Sequence, residues 1–335
     1  MFRTLLPLPL LLIGLATGVA SPASGQGILR WADLSAAQVA RLDRTRTAVL
    51  LPAGIIEEHG PLLPNGAEIT YNERLTADLA AAIAARPGWT VVVLPTLPIG
   101  SGAFDRRAGR AGYSGSLPVR ASTMQVFTDY ADNLGQQGFR HVFVINGHAD
   151  ANHDRALDRA GDYFGAAYRG FMIHLLGRRG CHPDGLEPPP LTLSSASAMT
   201  ADADSPHGGT METSRSWWLR PDLVDSVRVR RAEDRPAKGA AGWASTARQA
   251  DWAGYVGAPR FATLELGAWL YDTGRQRCTE LALRFLDGLD EATVPRYGDQ
   301  MRAYPDVRLM LEAQEREEAE DAAHQKRVLS RLPQR

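Results

Sequence analysis

The most regular feature of the sequence is an alternation of short apolar runs with longer segments of helical periodicity. Three runs are apolar almost throughout, which predicts strands covered on both faces. They span residues 48–52, 89–94 and 141–145. The helical segments carry helix-forming residues at helical spacing. They span residues 72–86, about 120–137 and about 152–164, and a short helix through Leu42 with Ser35 as its cap precedes the first run. Strands that alternate with helices predict an α/β fold with a mainly parallel sheet between helical layers.

The first 25 residues differ from the rest of the chain. Arg3 is followed by an apolar run over residues 5–19 that two prolines interrupt, and then by small residues up to Gly25. This pattern predicts a secretory signal peptide over residues 1–25, because the run is too short and too interrupted for a good membrane span. An uncleaved anchor is the alternative. We therefore expect a periplasmic or secreted protein with no stable membrane anchor after cleavage.

The remaining chain divides into one large domain over residues 26–300 and a charged tail over residues 301–335. In the tail, residues 312–327 mix acids and bases with alanine, which predicts a solvated helix at the periphery or at a contact between subunits.

Composition excludes several classes of protein. The 335 residues are 44% hydrophobic and 22% charged, as in ordinary globular proteins. The 37 Lys and Arg against 38 Asp and Glu give a net charge of −1, and no long basic stretch occurs. Nucleic acid is therefore not an expected partner. Cys181 and Cys278 would meet an oxidising compartment after export, where either a structural disulfide or two inert thiols is consistent with the sequence.

Candidate chemistry lies mostly after the first and third predicted strands. In open α/β sheets, ligands bind beyond the carboxyl ends of the strands. Three glycine-flanked segments there and further along the chain each combine histidine with an acid. They contain Glu57, His59 and Glu68, then His148 and Asp150, and then His207 and Glu212. Imidazole and carboxylate ligands suit a borderline or hard divalent ion. A metal site is predicted, and ordinary hydrogen-bonded surface pairs are the alternative.

Other hydrolytic machinery is poorly represented in the sequence. It contains no G-x-S-x-G elbow, no H-E-x-x-H helix and no G-x-x-x-x-G-K phosphate loop. Metal-activated water is therefore the expected nucleophile.

These segments carry a resemblance to a known family. Residues 57–68, 146–148 and 207–214 resemble the creatininase (creatinine amidohydrolase) family, and residues 220–224 and 254–263 resemble its later segments. The resemblance extends over about residues 47–290. It implies a three-layer αβα sandwich, a catalytic domain over residues 26–300, a centre of two divalent ions (zinc, manganese or both), assembly into a homo-oligomer, and hydrolysis of an amide bond.

The resemblance also implies roles for individual residues. Glu57 and His59 match a ligand to each metal, Glu68 matches a bridging aspartate, and His148 matches a further histidine ligand. Asp150 matches a ligating glutamate of creatininase itself, whereas other branches have glycine there. His207 matches a histidine that moves protons, and Glu212 matches the acid five positions later. The expected metal ligands are Glu57, His59, Glu68, His148, Asp150 and Glu212, and the expected catalytic residues are His207, Glu212 and Asp150.

Two departures from the family pattern affect the second ion. Glu68 is one methylene longer than aspartate, and residues 149–152 replace a turn that many relatives build with two glycines and asparagine. Either departure would shift or remove that ion if the pocket did not adapt.

The function expected from the sequence is that of an exported metal-dependent amidohydrolase. Activated water would attack a small cyclic or linear amide, and His207 would protonate the leaving nitrogen with help from Asp150 or Glu212. Two alternatives remain at this point: an extracytoplasmic metallopeptidase acting on short peptides, and a non-catalytic protein that binds a metal or small ligand through a degenerate site.

Overall fold

The structure is a computed structural model. It describes residues 27–102, 115–181, 190, 192, 201–202, 207–237, 242, 246–247, 249 and 251–332. The predicted signal peptide lies outside these residues. None of the helices in the described ranges is both long and apolar enough to span a membrane.

The described strands form one five-stranded parallel sheet. They are β1 (Gly27–Arg30), β2 (Thr47–Pro52), β3 (Thr90–Val93), β4 (His141–Ile145) and β5 (Phe171–His174), in the spatial order β1-β3-β2-β4-β5. Strand β2 is central and buried along its whole length. Its Val49 lies opposite Val92 of β3 and Val142 of β4. The predicted strands at 48–52, 89–94 and 141–145 are therefore present within one or two residues of their expected ends.

The described helices flank this sheet and follow its carboxyl end. They are α1 (Ala36–Ala40), α2 (Ala67–Ala84), α3 (Val126–Gln136), α4 (Ala151–Tyr168), α5 (Thr210–Leu219), α6 (Ser226–Arg230), α7 (Leu264–Leu286), α8 (Tyr297–Arg302) and α9 (Pro305–Leu329). Short 3₁₀ turns lie at Trp31–Asp33, Ala121–Gln125, Pro259–Phe261 and Glu291–Thr293. Ser35 caps α1 with a capping box, as predicted from its position.

The two faces of the sheet are covered by different helices. Leu50 of β2 belongs to a hydrophobic cluster with Leu75 of α2 and Leu281 of α7. Its neighbour Val49 points the other way, into a cluster that includes Phe127 of α3 and Leu157 of α4. Because side chains alternate along a strand, an apolar strand of this kind needs helices on both faces. The fold is thus the predicted three-layer αβα sandwich.

Two strands and one helix start were not predicted from the sequence. Strands β1 and β5 have four residues each, and β1 is alternately exposed along an edge of the sheet, so neither produces a long apolar run. Helix α2 begins at Ala67, five residues before the expected start. Gly66 at its N-terminus makes no side-chain capping bond, so the usual start signal is missing there.

The C-terminal part of the chain is attached to the sandwich by covalent and packing contacts. A disulfide joins Cys181, which follows β5, to Cys278 of α7. Of the two possibilities consistent with the sequence, a structural disulfide and two inert thiols, the structure therefore has the disulfide. In helix α9, Val307 and Leu311 pack with Ala151 of α4.

Candidate metal centre

The candidate centre lies where the sheet connections diverge. The connection from β2 runs through α2 to β3, whereas that from β4 runs through α4 to β5, on the other side of the sheet. Since β2 and β4 are neighbours, their carboxyl ends border the crevice in which α/β proteins bind ligands. The loop and helix start after β2 supply Glu57, His59 and Glu68, and the loop after β4 supplies His148. The topology thus explains why distant acids and imidazoles meet.

One group of potential ligands consists of Glu57, Glu68 and His148, which we call the sheet-edge group. Nδ1 of His148 lies 3.1 Å from Oε1 of Glu68 and 3.2 Å from Oε2 of Glu57. All three side chains are buried. Two carboxylates this close to an imidazole nitrogen favour positive charge, from a protonated ring or from a metal ion.

The ring of His148 is oriented by the backbone of a neighbouring loop. Its Nε2 lies 3.1 Å from the carbonyl oxygen of Ser101. A carbonyl can only accept a hydrogen bond, so Nε2 donates and Nδ1 faces the carboxylates. Burial would lower the pKa of His148, but the charges of Glu68 and Glu57 raise it well above its ordinary value. The pocket therefore favours positive charge, which a divalent ion would supply by displacing the proton.

A second group consists of Glu57, His59 and His207, which we call the bridging group. The rings of His59 and His207 stack with centroids 4.4 Å apart. Burial would lower the pKa of His59, but the carboxylates of Glu212, Glu57 and Glu68 together raise it to about 10. Burial and the neighbouring charge of His59 lower the pKa of His207 to about 4. His207 is therefore neutral at physiological pH.

The segment that carries His207 is held in place by backbone contacts and a buried acid. His207 and Val256 form an antiparallel bridge, with N···O distances of 2.9 and 2.7 Å. Asp202 accepts from the backbone N–H of Thr210 at 2.6 Å and of Ala258 at 2.9 Å. This carboxylate at the start of α5 also suits the helix dipole. Asp202 was not predicted from the sequence, because no local pattern links it to residues 207–214.

Asp150 and Glu212 occupy different surroundings from the two groups. Asp150 is the N-cap of α4, where its Oδ1 accepts from the N–H of Asn152 at 3.0 Å and of His153 at 2.9 Å. Oε2 of Glu212 accepts from the N–H of Gly208 at 2.9 Å, and its Oε1 lies 3.3 Å from Nε2 of His59. Among the described residues, neither acid belongs to a ligand group. Their assignment as metal ligands stays a prediction.

The residues present fit a divalent metal. Within the described part of the chain, the buried Oε2 of Glu68 has no hydrogen-bond partner. Leaving such an atom unsatisfied is costly, and a metal ion would satisfy it. The donors are carboxylate oxygens and imidazole nitrogens, the ligands typical of zinc and manganese. Glu57, His59, Glu68, His148 and His207 are therefore the side chains placed to hold metal.

Three residues outside the predicted ligands and catalytic residues support the site. Glu58 is buried next to Glu57, and its Oε1 accepts from Nε1 of Trp252 at 3.0 Å. The N–H of Glu58 donates to Oγ of Ser116 at 2.8 Å. The position of Glu58 in the sequence, between the expected ligands Glu57 and His59, was the only indication that Glu58 belongs to the site. Trp252 and Ser116 lie far away in sequence, and no local pattern connects them to Glu58.

The fold and the buried group of acids and imidazoles together define an α/β protein with a candidate metal centre. Residues 32–282 match the family model described as Creatininase: Creatinine amidohydrolase. The chain therefore belongs to the creatininase family, whose members are metal-dependent amidohydrolases. No curated protein matches the chain at a significant level.

Solved structures with similar folds are also creatininases. One is a manganese creatininase, with a TM-score of 0.55 and 17% identity over 78% of this chain and 99% of that chain. Another is a mutant creatininase complexed with creatine, with a TM-score of 0.56 and 18% identity over 78% and 99% of the two chains. A third is a mutant creatininase of the Zn-Zn type, with a TM-score of 0.56, 18% identity and the same coverage. At these identities, the likeness establishes the fold.

Proposed function

We propose that this protein is an exported metal-dependent amidohydrolase that cleaves the C–N amide bond of a small cyclic or linear amide. The observation that carries the proposal is the convergence of Glu57, His59, Glu68 and His148 at the carboxyl ends of β2 and β4, all of them buried. This is the crevice in which open α/β sheets bind ligands. Family membership adds the reaction class.

The proposed cofactors are two divalent ions per subunit, zinc or manganese or both. Two groups of ligands that share Glu57 support this number. The manganese creatininase and the Zn-Zn creatininase of similar fold support the choice of metals. When bound, the ions would supply the Lewis acidity that activates water and polarises the amide carbonyl.

The protein's own side chains would limit water and handle the proton. Burial of Glu57, Glu68 and His148 keeps bulk water from the carboxylates, which strengthens electrostatic interactions at the site. Glu212 lies at the edge of the site, with its side chain 17% exposed and in contact with His59. It is therefore the acid best placed to take a proton from the attacking water and pass it to the leaving nitrogen.

Export and assembly are further parts of the proposal. The signal peptide predicted over residues 1–25 and the disulfide between Cys181 and Cys278 both support a periplasmic or secreted location. The substrate is proposed to be a small molecule, and the structure of a mutant creatininase of similar fold complexed with creatine supports this. The family resemblance favours a homo-oligomer.

The test combines metal analysis with a substrate panel. The chain is purified, its bound metals are measured, and creatinine, creatine, formamides, lactams and dipeptides are assayed with and without a chelator. His59→Ala is compared with His324→Ala, a control in the exposed half of α9. We expect two ions per chain, chelator-sensitive amide cleavage, and loss of that cleavage in His59→Ala alone.

Other outcomes separate the alternatives. Cleavage confined to dipeptides would favour the metallopeptidase. One tightly held ion without cleavage of any amide would favour a binding protein, in which Glu68 and the altered turn at residues 149–152 have disabled the second ion. A His59→Ala variant as active as its parent would remove the site assignment.

A further inference from the structure

Arg215 places a positive charge beside the candidate metal centre. It lies in α5 one turn after Glu212, and residues at this spacing project from the same face of a helix. Its Nη2 lies 3.9 Å from Oε1 of Glu212, and that oxygen lies 3.3 Å from Nε2 of His59. One carboxylate oxygen therefore contacts both the guanidinium and a proposed metal ligand.

The guanidinium of Arg215 is held in place by an aromatic ring. Its Cζ lies 4.3 Å from the centroid of the Tyr71 ring, which is a cation–π contact. Tyr71 is buried in α2, and two of its ring carbons would lie 3.0 and 3.2 Å from a Cβ at Gly147, next to His148. Through Glu212 on one side and Tyr71 on the other, Arg215 therefore borders both ligand groups.

The guanidinium keeps hydrogen-bond donors for an anion. Its separation of 3.9 Å from Glu212 makes an ion pair but is too long for a hydrogen bond. The oxygens of Glu212 face His59 and the N–H of Gly208 instead. Among the described residues, none accepts a hydrogen bond from Arg215. Because its side chain is 13% exposed, a small molecule in the crevice can reach these donors.

A guanidinium in this position is suited to a carboxylate. Its planar fork of N–H donors matches the two oxygens of a carboxylate, and the contact with Tyr71 restricts the side chain before any ligand binds. A carboxylate also balances the single positive charge, whereas a phosphate would bring further negative charge up to Glu212. The surroundings of Arg215 therefore favour a carboxylate over a phosphate.

We propose that Arg215 binds a carboxylate of the substrate, so that the preferred amide carries a carboxylate close to its scissile nitrogen. The inference rests on the proposed function, in which Glu212 serves the leaving nitrogen. Because side chains one turn apart on a helix have Cβ atoms about 5–6 Å apart, Arg215 is placed to bind a group attached next to that nitrogen. N-acyl amino acids and carboxylated lactams have this arrangement.

Two lactams that differ only in the carboxylate test the proposal on the unaltered chain. In 5-oxoproline, the carbon next to the ring nitrogen carries a carboxylate, which 2-pyrrolidinone lacks. Calorimetry with the zinc-loaded protein measures the binding of each lactam, and turnover measures kcat/KM. We expect both affinity and kcat/KM to favour 5-oxoproline by about 10- to 100-fold, the usual contribution of a hydrogen-bonded charge pair.

Substitutions assign this preference to the guanidinium. Arg215→Gln removes the charge but keeps a polar side chain, and Arg284→Gln on the exposed side of α7 is the matched control. We expect Arg215→Gln to lose the preference for 5-oxoproline, Arg284→Gln to keep it, and Arg215→Lys, which has the charge without the fork, to keep part of it. Bound zinc is counted in every protein, because a carboxylate that binds the metal instead would give a preference that survives in Arg215→Gln.

The outcomes separate this inference from the proposed function. Equal binding of the two lactams by the unaltered chain, or a preference that survives in Arg215→Gln, overturns the inference while leaving the proposed function intact. Equal losses of turnover for both lactams in Arg215→Gln would mean that Arg215 only positions Glu212, which also overturns it. A binding preference that depends on Arg215, in a chain that cleaves no amide, supports the carboxylate site and overturns the proposed function.

Discussion

The two ligand groups that share Glu57 are built in different ways. The sheet-edge group comes entirely from the ends of β2 and β4 and from the first turn of α2, so the parallel sheet sets its geometry. The bridging group adds His207 from a distant segment, which is held by the antiparallel bridge to Val256 and by the packing of Gly60 against Gly254. A substitution that weakens metal binding at both ligand groups should therefore act through Glu57. A substitution in the second half of the chain should weaken the binding of one ion only.

The largest effect is expected at the residue that both groups share. Glu57→Gln removes a negative charge from each, and we expect both ions to be lost. Because enzymes accelerate reactions by 10⁶-fold or more, amide turnover should fall by at least about 10⁴-fold. Metal analysis and turnover check this, with Glu280→Gln on the exposed side of α7 as control. A variant that retains one ion at full affinity would show that the groups do not share this carboxylate.

The disulfide tests whether the bridging group depends on the covalent attachment of its segment. Cys181 and Cys278 close a loop with a sequence separation of 97 residues, which contains His207 but not the sheet-edge group. Replacing both with serine should lower the free energy of unfolding by about 4–5 kcal/mol, from the added entropy of the unfolded chain. Urea titration measures the loss, and amide hydrogen exchange should increase more in residues 207–257 than in residues 47–84. Equal increases in both ranges would contradict the comparison.

The difference between the sheet-edge group and the bridging group also explains which parts of the site the sequence could predict. Strands β2 and β4 are continuous apolar runs, and ligands gather at the ends of such strands, so the sheet-edge group was predictable from local patterns and one topological rule. That Asp150 caps α4 was not predictable, because an aspartate before a helix can be a cap, a ligand or both. The links from Glu58 to Trp252 and from His207 to Val256 join positions about 50 or more residues apart. Local periodicity carries no information about them.

A buried acid of α4 makes the stability of the fold depend on pH. Burial raises the pKa of Asp158 in α4 to about 6, although nearby arginines oppose the shift. The charged groups that act on it are Arg296, Arg178, Asp299 and Arg302. Because the pKa in the folded state lies above the usual 3.8, the stability that Asp158 contributes is fully present below about pH 4 and is lost as pH rises through about 6.

Replacing this acid should remove the pH dependence. Between pH 4 and pH 7, the wild-type chain should lose about 2 kcal/mol of unfolding free energy relative to Asp158→Asn. Urea titrations of both proteins across this range measure the difference. A gap that stays constant with pH would mean that Asp158 titrates normally in the folded chain.

The smallest effect is expected at the contact between the two halves of the bridging group. Gly254 has φ of +80°, and a Cβ there would lie 2.5 Å from the backbone nitrogen and Cα of Gly60, next to His59. Gly288 has φ of +92°, but a Cβ there would meet nothing within 4 Å. Gly288→Ala should therefore cost about 1 kcal/mol from backbone strain alone, and Gly254→Ala about 1 kcal/mol more from overlap.

The difference in unfolding free energy between these two alanine variants measures the cost of the overlap with Gly60 separately from the cost of backbone strain. Because the overlap pushes the His59 loop away from the segment of His207, Gly254→Ala should also weaken one ion by roughly tenfold and leave the other unchanged, whereas Gly288→Ala should weaken neither. Urea titration and zinc titration of both variants provide the measurements. Equal losses of stability and unchanged zinc affinities would mean that the bridging group tolerates a shift between its halves, and that the sheet edge alone determines metal binding.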